Sequence, residues 1–411
     1  MREFVAFIVL LVALPCYGEG PNDERWTLYT ARRWFALRDA VAKVNAPAFY
    51  RGAVAWAFHQ PGAAEKQLRQ AIKLAPGSRE AVEAHQMLTT WFSLTGQYRR
   101  AFLEYREVQA LRPNDKGARA ELASLDVWSR YPEPRVRKHR HSQVPCEIKD
   151  GDLFVQLSVN GVEARYLIDT GSNASFISES EARRVGMALD TAQGLQSHDA
   201  SGTSGGYRVA VAKDLILGSV HLTNVAFLVF RDDQLPFVNL PSGWRGALGL
   251  PVMLALNTIR WSRAGSFEVG FPSAAYDVAK VNLCFSGDGP HTVVQGGFEH
   301  KRIQMVIDTG AMRSRLLPSF AEDFPLLAQE NGRRQTGQLH GVHGPRQTET
   351  LVLSGVSLRI GNFTFSLRPA ELLLDRSPFG KSAYHAWLGQ DLLQQARQVT
   401  IDFGAMRLSV E

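Results

Sequence analysis

Cysteine is nearly absent: the chain has three in 411 residues, at positions 16, 146 and 284. Once Cys16 is set aside with the leader described below, only Cys146 and Cys284 remain, so a disulfide-built scaffold is excluded. Long apolar runs are as scarce. Phe4–Pro15 is one, and no other segment is expected to span a membrane. His139 and His141 stand close together but make no metal site, and neither a metal nor an organic cofactor is expected. Core-forming residues are not lacking. Apolar types make up 45% of the chain, which fits two or three globular domains rather than broad disorder.

What the chain does have is an internal duplication. Tyr166-Leu167-Ile168-Asp169-Thr170-Gly171-Ser172 is echoed by Met305-Val306-Ile307-Asp308-Thr309-Gly310-Ala311. In each copy an apolar run suited to a buried strand delivers one carboxylate to a tight turn. A single Asp-Thr-Gly is an ordinary surface turn. Here the surroundings repeat too. Gly249 of Ala247-Leu248-Gly249 follows Asp169 by 80 positions, and Gly389 of Trp387-Leu388-Gly389 follows Asp308 by 81. Cys146 precedes its Asp by 23 residues and Cys284 by 24. A repeat in register fixes architecture before any single element is assigned.

At these residues the chain resembles the aspartic peptidases, pepsin-like in having two lobes and retropepsin-like in their small size. The resemblance implies that Asp169 and Asp308 form the catalytic pair. Two like charges at close range cannot both ionise comfortably, so the pair holds one proton between them. The ionised member takes a proton from a water, and the protonated member hydrogen-bonds the scissile carbonyl. The same resemblance gives supporting roles to Thr170, Gly171 and Ser172 in one loop and to Thr309, Gly310 and Ala311 in the other. The threonines would cross-link the loops, and the glycines would permit turn geometry that a side chain obstructs. Ser172 would hydrogen-bond its own carboxylate and favour the charged form, as Ala311 cannot.

A flap is expected between the anchors of each lobe. Ser201–Tyr207 has the composition of a hairpin tip, with Gly205, Gly206 and Tyr207 as candidates; in the second lobe Gly337, Gly341 and Gly344 punctuate a comparable stretch with His340 and His343. Ordinary flexible loops would read the same way. Leu153–Val159 followed by Asn160-Gly161 predicts a strand entering a hairpin. Cys146 and Cys284, each at the start of a lobe, either form an inter-lobe disulfide or remain two free thiols.

The first 150 residues differ in kind. Arg2, the apolar run and small residues before position 18 predict a secretory signal peptide over 1–18, hence an exported, periplasmic or secreted protein. Residues 22–128 are rich in helix formers. Gly96-Gln97-Tyr98…Ala101…Tyr105…Pro113 and a weaker copy around Gly52…Ala64…Ala71…Pro76 resemble tetratricopeptide repeats, which imply either a partner-binding surface or a packed helical spacer. Residues 129–145 carry prolines and a basic run, expected to be a solvated linker. The net charge of +6 partly reflects that tract and does not point to nucleic acid.

The expected architecture is therefore an all-α helical-repeat domain followed by a mainly-β, two-lobed acid-protease fold, with lobes at 146–275 and 283–411. The expected function is hydrolysis of peptide bonds in a protein or peptide substrate by a single chain that carries both halves of its site. The competing reading is a catalytically silent peptide-binding or scaffold protein that recruits a partner through its helices.

Overall fold

The computed structural model describes residues 23–411, leaving aside 191–194, 199–203, 241–242, 287–290, 331, 342–343 and 376–383. The expected leader, the first flap's residues 201–203 and His343 lie outside the described residues.

The described chain opens with helices α1 (Glu24–Thr30), α2 (Trp34–Ala42), α3 (Ala48–Ala57), α4 (Pro61–Leu74), α5 (Arg79–Leu94), α6 (Tyr98–Leu111) and α7 (Lys116–Trp128). Their starts follow local chemistry. The side chains of Asp23, Ser78 and Asp115 accept hydrogen bonds from the backbone amides of Arg25, Ala81 and Ala118, and Pro61 opens α4. Small residues set how closely the helices pack. A Cβ on Gly52 in α3 would lie 2.8 Å from the Leu68 side chain and 2.9 Å from its backbone nitrogen in α4.

The remainder is mainly β. Asp152–Val159 and Val162–Ile168 form an antiparallel hairpin around Asn160 and Gly161, both with positive φ, as an Asn-Gly turn requires. Lys301–Ile307 pairs with Thr292–Phe298 in the same way in the second lobe. The lobes are stitched together by a shared sheet. Thr258–Ser262 runs antiparallel to Gln398–Asp402, with Ile259 opposite Ile401, Arg260 opposite Thr400 and Trp261 opposite Val399. Arg260 and Thr400 are 140 positions apart, the same offset as Gly249 and Gly389. At the centre of this pairing each strand meets its own duplicate, as a two-fold axis between repeats demands. The Arg260 Nε donates to Thr400 Oγ1 at 3.0 Å there.

The helices pack on both lobes. His59 Nδ1 lies 2.7 Å from the Phe403 carbonyl, Trp56 meets Phe285 edge to face, and Trp128 Nε1 donates to the Tyr207 hydroxyl at 3.1 Å. Two expectations need correction. The basic tract is not a free linker: Arg135–Lys138 is a strand paired antiparallel with Val220–Phe230, its four side chains exposed on the sheet edge, and Ser142–Lys149 pairs with Asp152–Val159 and Ser266–Val269. The prolines and charges there are compatible with an edge, where one side of the backbone faces water. Nor is there a bridge. Cys146 and Cys284 are free thiols, one opposite Val155 and the other opposite Val293 in different sheets. Burial pushes the Cys146 thiol up to about 11 and Cys284 further, so both are held as unreactive neutral groups.

Gly52→Val would force α3 and α4 apart against Leu68 backbone as well as side chain. Urea melts should show a loss of about 1–3 kcal/mol.

Candidate active site

Each Asp-Thr-Gly is presented by the same construction. Val162–Ile168 runs parallel to Gly246–Leu248, and the Asp169 amide donates to the Leu248 carbonyl at 3.0 Å. Lys301–Ile307 runs parallel to Ala386–Leu388, and the Asp308 amide donates to the Leu388 carbonyl at 3.0 Å. Both faces are covered where each strand approaches its Asp, which is why Leu167, Ile168, Val306 and Ile307 are apolar without alternation. The glycine that ends each Leu-Gly sits beneath the loop. A Cβ on Gly249 would lie 2.4 Å from the Ala174 carbonyl oxygen, and one on Gly389 would lie 2.7 Å from that of Ala311.

Four hydrogen bonds lock the two loops together. The Thr170 amide donates to Thr309 Oγ1 at 2.9 Å, and the Thr309 amide to Thr170 Oγ1 at 3.0 Å. Each hydroxyl then donates across the interface, Thr170 to the Ile307 carbonyl at 2.9 Å and Thr309 to the Ile168 carbonyl at 2.6 Å. All six groups are satisfied and buried, so removing one hydroxyl would strand a backbone amide and a carbonyl in the opposite lobe.

Gly171 and Gly310 are needed for space rather than for an unusual backbone. Neither has a positive φ. A Cβ on Gly171 would lie 2.5 Å from Asp308 Oδ1, and one on Gly310 would lie 2.6 Å from Asp169 Oδ1. Each carboxylate thus lies against the glycine of the opposite loop. The Gly171 amide donates to Asp169 Oδ1 at 3.0 Å; the Gly310 and Ala311 amides donate to Asp308 Oδ1 at 3.0 and 3.1 Å. Oδ2 of each carboxylate has no protein partner. One oxygen is held and the other is left for exchange.

Both carboxylates are 0% exposed. Burial is the main cause that raises each well above the ordinary carboxyl range, and the charge of Asp308 raises Asp169 further; the backbone amides oppose the shift at both. The proton belongs to the pair rather than to either residue. Ser172 does not act as its position suggested. Its hydroxyl donates to the Ala174 carbonyl at 2.6 Å, bracing the loop rather than the carboxylate.

Residues 155–252, spanning the first loop, match the family model described as aspartyl protease. The fold is aspartic-protease-like. Among solved structures, basic 7S globulin from soybean is 13% identical, with 66% of this chain and 95% of that chain covered at a TM-score of 0.38. A retropepsin-like aspartic protease from Rickettsia conorii is 14% identical, covering 33% of this chain and 92% of that one at a TM-score of 0.23. No curated protein matches the chain.

The two aspartic-protease-like lobes carry unequal hairpins at the expected flap positions. In the first, Gln196–His198 pairs with Ser204–Gly206, which places Gly205 and Gly206 in a short ladder. Tyr207 does not face the carboxylates. It is buried against Trp128 and Phe230, at the junction with the helices. In the second, Arg333–Gly341 pairs with Gly344–Leu353, with Gly341 opposite Gly344 at the tip. That tip crosses to the first lobe, where a Cβ on Gly344 would lie 3.4 Å from Leu235 Cδ1. Among the described residues, no group of three or more His, Cys, Asp or Glu is placed to hold a metal.

One residue was missed. Asp152, which starts a strand of the first lobe, is 8% exposed and raises Asp169 by its charge. Burial pushes Asp152 itself up to about 7, and its Oδ1 has no partner. The only sequence signal is a carboxylate directly before an apolar strand.

The buried pair gives stability a defined pH dependence. Its raised pKa values favour the protonated folded state at low pH, and that contribution is lost as pH rises from about 4, the ordinary carboxyl range, toward neutrality. Asp308→Asn removes the second buried acid, so thermal denaturation should show a gain of about 1–3 kcal/mol at pH 7 that shrinks at pH 4.

Proposed function

We propose that the protein is an aspartic endopeptidase that cleaves an extended peptide with a water activated between Asp169 and Asp308. The observation that carries this reading is the arrangement of the carboxylates: each has Oδ1 fixed by backbone amides, Oδ2 unpartnered, and the opposite glycine cleared to admit it. A water held between the two Oδ2 atoms loses a proton to the ionised carboxylate as its oxygen attacks the scissile carbonyl. The protonated carboxyl donates to the carbonyl oxygen and offsets the charge that develops there. Collapse of the tetrahedral species expels the amine, which takes up the proton first abstracted. No covalent intermediate is involved.

The hairpin of Arg333–Gly341 and Gly344–Leu353 reaches Leu235 of the first lobe, and its lifting from there gives a route for substrate entry. One chain holds both loops and the sheet that joins them, which supports a catalytic monomer. Export to a periplasm or to the outside, and a tetratricopeptide-type role for α3–α6, belong to the same proposal; the first rests on the apolar Phe4–Pro15 run and the second on the helix pairs around Gly52 and Ala101.

Incubation with a diverse peptide library from about pH 3 to about pH 8 tests the proposal, with Asp169→Asn and Asp308→Asn as controls. Cleavage should fall by about 10³-fold or more in both variants, because the pair acts as a unit. Absence of turnover by the folded wild-type chain would favour a peptide-binding protein instead. Ser172→Ala supplies a sharper check. Its hydroxyl bonds Ala174 rather than Asp169, so the acidic limb of the pH–rate profile should move by less than about 0.3 unit while thermal stability falls.

A further inference from the structure

Between the helices and the first lobe lies a cavity of about 280 Å³, near the lower end of the range for small-ligand sites. Tyr98, Glu121 and Trp128 line it from the helical side, and Asn173 and Tyr207 from the lobe. Most of the wall is apolar. Hydroxyls such as those of Thr89 and Ser124 also line it, and two further polar groups have no hydrogen bond within the described residues. Glu121, on α7, has no ion pair or hydrogen bond among the described residues, and burial alone pushes its carboxyl up to about 7. Asn173 is 7% exposed, and both its Oδ1 and its Nδ2 lack partners. Native interiors rarely leave a buried amide such as that of Asn173 unsatisfied, because it carries a desolvation cost that a partner removes, and Glu121, half-buried in the same cavity, has no counter-charge.

The other ionisable groups of the cavity do not answer Glu121. Arg135 is exposed at the wall and makes no ion pair with it. His59 turns Nδ1 to the Phe403 carbonyl, and burial holds it below its ordinary range, hence neutral. Burial raises the hydroxyls of Tyr98 and Tyr207, so both stay protonated, and Tyr207 accepts from Trp128. What the cavity lacks is a cation beside Glu121 and an amide-like partner for Asn173.

We infer that this cavity binds the amino-terminal end of an apolar peptide, its ammonium paired with Glu121, its first peptide unit hydrogen-bonded to Asn173, and its apolar side chains between Tyr98 and Trp128. An ammonium supplies the missing counter-charge, and a peptide unit offers the donor and acceptor that a primary amide matches. The site is distinct from the carboxylate pair and does not require that pair to be active. Asn173 nonetheless belongs to the same loop, four residues after Asp169, so an occupant would touch the loop that holds the first carboxylate.

Calorimetry on the full chain carrying Asp169→Asn separates this site from turnover. The probes are leucyl-phenylalanine amide, its N-acetyl derivative, n-octylamine and n-octanol. The free dipeptide amide should bind about tenfold or more tighter than the acetylated one, a preference that grows from about pH 5 to about pH 7 as Glu121 ionises and levels off above that as the α-ammonium loses its proton. Glu121→Gln, nearly isosteric, should abolish that preference. Asn173→Ala should weaken the dipeptide about tenfold and leave octylamine unchanged. Equal binding of free and acetylated dipeptides, or a preference that survives Glu121→Gln, would overturn the inference. Binding of octylamine without the dipeptide would overturn the peptide assignment in favour of a simple amphipathic amine. Each outcome can be read whether or not the wild-type chain cleaves peptides.

Discussion

Everything in the two lobes depends on holding two carboxylates together in a space that neither would choose alone. The four threonine hydrogen bonds do this. A buried bond of this kind contributes only about 1 kcal/mol net, but breaking one leaves a group in each lobe without a partner. The bonds therefore act as a latch whose loss costs more than its formation gains. The shared sheet through Arg260 and Thr400 adds a second tie on the same axis. With the lobes joined twice, the hairpins are freer to move than the halves are to separate.

The helical region is held to the same frame. It touches the second lobe through Trp56 and His59, at Phe285 and Phe403, and the first through Trp128 and Tyr131, around Tyr207 and Asp190. Gly96, at the turn between α5 and α6, has a φ of +72°, and a Cβ there would lie 2.2 Å from the Pro134 ring, so this helix pair packs on the tract that follows the helices. The tract then joins the first lobe's sheet. Removing the helices would uncover aromatic surface on both lobes and free an edge strand, an outcome unlike the release of a loosely tethered spacer.

The duplication made most of this legible. Two copies of the same phrase, each with a Leu-Gly about eighty residues later, identified the loops, the strand that supports each of them and the axis between them. Reasons proved harder to read than positions. Gly171 and Gly310 were recognisable as invariant within the repeat, but their role is set by the opposite lobe's carboxylate, a contact that sequence cannot show. Ser172 lay in the right place, yet its hydroxyl found the Ala174 carbonyl first, since a short side chain bonds whatever acceptor its own turn offers. The basic tract looked like a linker because edge strands share a linker's composition. Glu121 carried no signal and Asp152 only a faint one, a carboxylate directly before an apolar strand, because each is unusual mainly through what surrounds it.

Asp152 bears on the chemistry. A third buried acid beside the pair means that ionising Asp152 makes it harder to remove the proton held between Asp169 and Asp308. Its own raised pKa places that ionisation near neutrality rather than in the acid range. The pair then keeps its single proton over a wider span of pH than burial and mutual repulsion alone would give. Ala311 works in the same sense, since its side chain offers Asp308 no hydrogen bond that would favour the charged form, and Ser172 spends its hydroxyl elsewhere. The two loops, unequal in sequence at this position, are therefore alike in leaving their carboxylates to backbone amides. Nothing in either loop's side chains pulls the pair toward strong acidity, and the environment as a whole favours a singly protonated pair close to neutral pH.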